Sequence, residues 1–109
     1  MPFTVLFLAH APDADPKKHV SEIQSGLYRL FSVLVKSQAE AIAAAREYYR
    51  DYAADSILLC PGFTHQEVAE IAAACNHKVG ISVARGDGPG TRIVMEAMRR
   101  AGYPAFQKH

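Results

Sequence analysis

The sequence predicts a single α/β domain over residues 1–109, with a four-stranded, mainly parallel sheet in the flavodoxin-like order 2-1-3-4 and helices on both faces. Three observations carry this prediction. Short runs that are apolar at nearly every position, such as Phe3–Ala9, suit strands covered on both faces of a parallel sheet. These runs alternate with amphipathic segments that open on helix-capping motifs, which is the pattern of βα units. Finally, 109 residues, half of them hydrophobic, fill one core and hardly two.

Taken in order, the first strand, Phe3–Ala9, is broken by His10-Ala11-Pro12-Asp13. Asp15-Pro16 reads as an N-cap followed by proline at the first helical position. Val20, Ile23 and Leu27 recur at helical spacing, predicting a short helix from Pro16 to about Ser25 that Gly26 ends. The second strand runs from Leu27 to Lys36. Ser37–Glu40 forms a capping box that opens a helix to about Ala53, with an apolar stripe of Ile42, Ala45, Tyr49 and Tyr52 widened by Tyr48.

Ser56–Cys60 is the third strand, stopped by Pro61-Gly62. Thr64–Glu67 is a second capping box, and Phe63 with Val68 makes a hydrophobic staple. Asn76 suits the left-handed position that ends this helix. Lys78–Ala84 is the fourth strand. Residues 86–90 form a glycine loop, and Thr91 is expected to cap a last helix that buries Ile93, Val94, Ala97, Met98 and Ala101 and closes at Gly102. Residues 103–109 form a tail, loose or docked on a partner. In the 2-1-3-4 order the first and last helices share one face of the sheet and the middle two share the other.

A net charge of +1, with basic residues scattered, offers no electrostatic footprint for nucleic acid. No apolar run approaches the roughly 20 residues that span a bilayer, and no signal peptide is visible. A cytoplasmic protein is expected, with no membrane and no nucleic-acid partner. Exposed sheet edges and the tyrosine-bearing helix make a homodimer the expected assembly.

Ligands of open α/β sheets bind beyond the carboxyl ends of the strands, where the strand order reverses. The loops that converge there begin at His10, Cys60 and Arg85. In the stretch Arg85–Arg92 (RGDGPGTR), Gly86, Gly88 and Gly90 can turn backbone N–H groups toward an anion, Thr91 opens a helix, and Arg85 or Arg92 supplies a bidentate partner. The competing reading is a tight connection that needs positive φ at one of these glycines. The loop is neither a Walker A motif nor a dinucleotide fingerprint.

Cys60 lies where an α/β enzyme places a nucleophile, although a cysteine ending an apolar strand also serves simply as core. His10 is the best general acid/base candidate, with Asp87 beside it. Cys75 belongs to a buried stripe. Cys60, His10 and His65 lack metal-ligand spacing, so no metal is expected, and no cofactor motif is present.

The N-terminal strand with its Pro12–Pro16 segment, the Leu59-Cys60-Pro61-Gly62-Phe63 loop and the Val79–Arg85 strand together resemble a family of small bacterial proteins of unknown function. The resemblance spans nearly the whole chain and implies an α/β fold with no established activity. The residues themselves suggest a protein that binds an anionic or carbonyl-bearing metabolite, or a cofactor-independent lyase, isomerase or hydrolase acting on one. The alternative is a non-catalytic dimeric regulatory or scaffolding module.

Overall fold

In the computed structural model, which describes residues 1–104, eight elements follow one another: β1 (Phe3–His10), β2 (Val20–Gln24), β3 (Tyr28–Val35), α1 (Gln38–Tyr52), β4 (Ser56–Leu59), α2 (His65–Ala74), β5 (Gly80–Val83) and α3 (Gly88–Ala101). The strands form one mixed five-stranded sheet in the order β2-β3-β1-β4-β5. β1 pairs in parallel with β3 and β4, and β4 with β5, while β2 runs antiparallel to β3. The four parallel strands keep the expected sequence of neighbours; a fifth strand extends one edge. From residue 105 onward the expected tail lies outside the described residues.

The extra strand replaces the helix expected from Pro16 to Ser25. Asp15 does start a helical turn: its carbonyl accepts the Lys18 and His19 N–H groups, and its carboxylate accepts that of Lys17. The turn ends there, because the chain after His19 pairs with β3 over Val20↔Val33 to Gln24↔Arg29. Gly26-Leu27 is a two-residue hairpin connection, with the Ser25 N–H donating to the Tyr28 carbonyl at 2.8 Å. Glu22 and Arg29 close a cross-strand ion pair at 2.8 Å. Gly26 thus ends a strand and turns a hairpin; it does not stop a helix.

The two helix-capping motifs form as hydrogen bonds. Thr64 and Glu67 make a full reciprocal box at the start of α2. At α1, the Ser37 hydroxyl accepts the Glu40 N–H at 3.1 Å, but the Glu40 carboxylate receives the Lys36 N–H instead of the cap's own. α1 buries Ala41, Ala44, Ala45 and Tyr48, a stripe rotated from the expected one. Ile42 and Tyr49 flank the core and Tyr52 is partly exposed. Small alanines on this face let the helix lie close to Leu6, Leu8, Val33 and Val35.

Strand register divides the sheet into two unlike faces. Leu6, Leu8, Phe31, Val33, Ile57 and Leu59 point to one face, where α1 and α2 cover them together with Phe63, Ile71 and Cys75. The opposite face carries Phe3, Val5, Phe7 and Ala9 from β1, Tyr28, Leu30, Ser32 and Leu34 from β3, Ser56 and Leu58 from β4, Ser21 and Ile23 from β2, and Gly80 and Ser82 from β5. No charged residue occupies any of these positions.

The expectation of helices on both faces fails in two ways. The first expected helix is the β2 strand, and α3 does not return to the sheet. No α3 residue is buried and none joins the core. Ile93 and Val94, expected inside, are 70% and 55% exposed. The helix is nonetheless well ended: Gly102 sits at φ 100°, and the Gly102 and Tyr103 N–H groups return to the Arg99 and Met98 carbonyls. No helix among the described residues is long and apolar enough to cross a membrane.

Candidate functional site

Parallel pairing brings the carboxyl ends of β1 and β4 side by side, and with them His10 and Cys60. The Cys60 N–H donates to the Leu8 carbonyl at 3.0 Å, closing a rung of the ladder. The next N–H of β1 on that side, that of His10, donates to the Cys60 sulfur at 3.4 Å. The imidazole folds over the same atom, with Nδ1 3.9 Å from Sγ. Fifty residues apart in sequence, the two side chains form one unit.

Their neighbours hold this pair in place. The His10 ring stacks on Phe63, with centroids 4.1 Å apart and planes 26° from parallel. Phe63 is itself buried in the core immediately before the Thr64 cap. Gly62 leaves the space the imidazole needs: a Cβ there would stand 3.1 Å from Nδ1 and 3.7 Å from the sulfur. Phe63 thus anchors the imidazole as well as the start of α2.

Partial burial alone raises the Cys60 thiol pKa, because it disfavours the thiolate. Hydrogen bonds from the His10 side chain, the His10 N–H and the Gly62 N–H, together with the electrostatic attraction of His10, outweigh that effect and hold the thiol below its ordinary value. Cys75 shows the opposite behaviour. It is fully buried between α1 and α2, its sulfur 3.7 Å from the Ala45 carbonyl, and burial pushes its thiol up.

The glycine loop lies next to this unit but is built differently from the expected cradle. Gly86 approaches Pro61, where an added Cβ would stand 3.8 Å from the proline Cβ, so the Arg85–Asp87 and Cys60–Gly62 loops adjoin. Arg85 spends its Nε–H on Asp87 at 2.8 Å, with both side chains largely exposed. Asp87, not Thr91, is the N-cap residue of α3, and the Thr91 hydroxyl donates to the Asp87 carbonyl within the helix. Gly88 and Gly90 lie inside the first turn of α3, and Gly102 is the one glycine with positive φ among the described residues.

The loop therefore has none of the left-handed turns that aim successive N–H groups at an anion. Pro89 lacks an N–H, and that of Gly90 is taken by the Asp87 carbonyl. Thr91 and Arg92 line an open depression along α3 with Met95 and Glu96.

A groove of about 570 Å³ runs between the Asp15–Lys17 turn and α1, floored by Val33 and walled by Glu40, Glu47 and Tyr48. Sequence reading missed it because it exists only when residues 16–24 form a turn and a strand. It is lined by neither His10 nor Cys60. Among the described residues no three His, Cys, Asp or Glu side chains gather into a metal-binding group.

The His10–Cys60 unit can supply a sulfur nucleophile and a proton carrier in contact with it. Neither a curated protein nor a solved structure matches the chain. A family model does match, over residues 3–97, a span that holds both loops and most of α3; the chain belongs to the family of unknown function DUF6506.

Proposed function

We propose that this protein binds a small carbonyl-bearing or anionic metabolite at the carboxyl rim of β1 and β4 and transforms it through Cys60, as a cofactor-independent hydrolase, isomerase or lyase. The observation that carries this reading is the contact between the Cys60 sulfur and the His10 backbone and ring. The thiolate adds to the electrophilic carbon, and His10 carries the proton to and from the reacting oxygen or leaving group. Arg85, next door across the Gly86–Pro61 contact, exchanges Asp87 for the ligand's negative charge. Asp87, Gly88, Gly90, Thr91 and Arg92 support that loop and the helix start. Two free thiols suit a reducing compartment, and we place the protein in the cytoplasm.

Alkylation of the native protein tests the proposal. Iodoacetamide should modify Cys60 with a pH midpoint below the roughly 8.5 of a free thiol, and spare Cys75 until the chain is denatured. A Cys60 that stays unlabelled until denaturation would return it to a packing role. In a thermal-shift panel of small carboxylates and phosphates, a stabilising compound should lose most of its effect in Arg85→Ala.

A second reading, a dimeric regulatory or scaffolding module, is favoured by the exposed apolar side of α3. It does not compete for the same residues.

A further inference from the structure

Among the described residues, the far face of the sheet and the apolar side of α3 are both unpartnered, and each is what the other lacks. Parallel strands are ordinarily covered on both faces, since crossover helices must pack somewhere. Here α1 and α2 cover one face, while the other presents Phe7, Leu30, Leu34 and Leu58, all partly exposed, around a buried Val5, with no charge at any strand position of that face. Ser32, Ser56, Ser82 and Gly80 lie among them, leaving room for a helix to approach closely, while Phe3, Ile23 and Tyr28 add apolar surface at the margin.

α3 shows the complementary pattern. Ile93, Val94, Ala97 and Met98 share one side, with Arg92, Glu96 and Arg100 around the rest. Fourteen residues make a helix about 21 Å long, which fits within the roughly 26 Å of the eight residues of β1. An isolated helix of this length is marginal in water, so a packed surface is needed to sustain it.

We propose that two copies of this chain associate by exchanging α3, each helix lying on the far face of the partner's sheet. Among its described residues, each chain offers one uncovered face and one unpacked helix. A two-fold pair satisfies both at once and leaves neither exposed. A different protein would have to bring a helix for the face and also a face for the helix. The inference deepens the dimeric reading, on which it rests, and is independent of the chemistry at Cys60.

The test combines solution mass with cross-linking on the full chain. Light scattering from about 1 to 100 μM should give a dimer, and Ile93→Glu with Val94→Glu should weaken it by about 100-fold or more. Both residues are already exposed in the single chain, so the charges do not threaten its fold, and circular dichroism verifies that. In a Cys60→Ser background, chains carrying Leu58→Cys are mixed with chains carrying Val94→Cys, and a disulfide between the two is expected on mild oxidation. A monomer at the highest concentration overturns the dimer and the exchange together. A dimer that survives the glutamates and gives no cross-link overturns the exchange alone. A doubly substituted chain that cross-links within itself at monomer mass shows α3 covering its own sheet, and also overturns it.

Discussion

Alanine at position 8 is expected to remove a large part of the stability of the domain. Leu8 is fully buried on the central strand, flanked in register by Val33 of β3 and Leu59 of β4, and covered by the helical layer. The neighbours belong to three strands hydrogen-bonded to one another, so they cannot close on the space the side chain leaves. Leucine-to-alanine changes at such sites cost about 2–5 kcal/mol, against a total of about 5–15 kcal/mol for a domain. In urea, the midpoint should fall by about 1–3 M with the slope unchanged. A loss below about 1 kcal/mol would mean that the layer repacks, contrary to the rigid packing of the three strands.

Removing the imidazole is expected to have the largest effect on reactivity. In His10→Ala, Cys60 keeps its two backbone hydrogen bonds but loses the ring's hydrogen bond and electrostatic contribution, so the thiol pKa rises. Each unit of rise cuts the thiolate fraction near pH 7 about tenfold, while the stronger nucleophile recovers about threefold. Alkylation at pH 7 therefore slows by about threefold per unit. The maximal rate above about pH 9 is retained or increased. On the proposed mechanism, in which His10 carries the proton, turnover through Cys60 should fall further, by about 10²–10⁴-fold.

The linkage has a definite sign. A thiol depressed in the folded state adds stability above its unfolded pKa of about 8.5, and that increment is lost as pH falls through the lower folded value. Comparing urea midpoints on either side of this window in the wild type and in His10→Ala checks it. Equal alkylation profiles in the two proteins would remove His10 from the site.

What was legible in the sequence was whatever short-range pattern decides. The capping boxes at Ser37 and Thr64, the breakers at Pro61 and Gly62, and the apolar runs placed α1, α2 and the four parallel strands within a few residues. Residues 16–25 differ from the expectation because the spacing of Val20 and Ile23 fits a helical period while their β-branched side chains suit a strand, and only pairing with β3 decides between them. The outward stripe of α3 was unreadable for a different reason: amphipathicity says that a face needs covering, not that its own chain supplies the cover.

At the candidate site, the sequence identified Cys60 and His10 separately, but their contact depends on β1 and β4 being neighbours in register, which no local motif encodes. It also made the residue 85–92 loop look richer than it is, because glycine permits left-handed turns without requiring them.

The hydrogen bond from the His10 N–H to the Cys60 sulfur has a further consequence. The atom that would attack a substrate also stands as an acceptor at the end of the sheet's own hydrogen-bonded ladder. Its position is set by strand pairing, so the sulfur inherits the rigidity of the β-sheet and needs no loop closure to find its place. A covalent adduct on that sulfur would make it a poorer acceptor, and the terminal rung between β1 and β4 would loosen with it. The backbone amide of residue 10 would thus register whether the sulfur is free or occupied, making the carboxyl end of the two inner strands a reporter of the chemical state of the site.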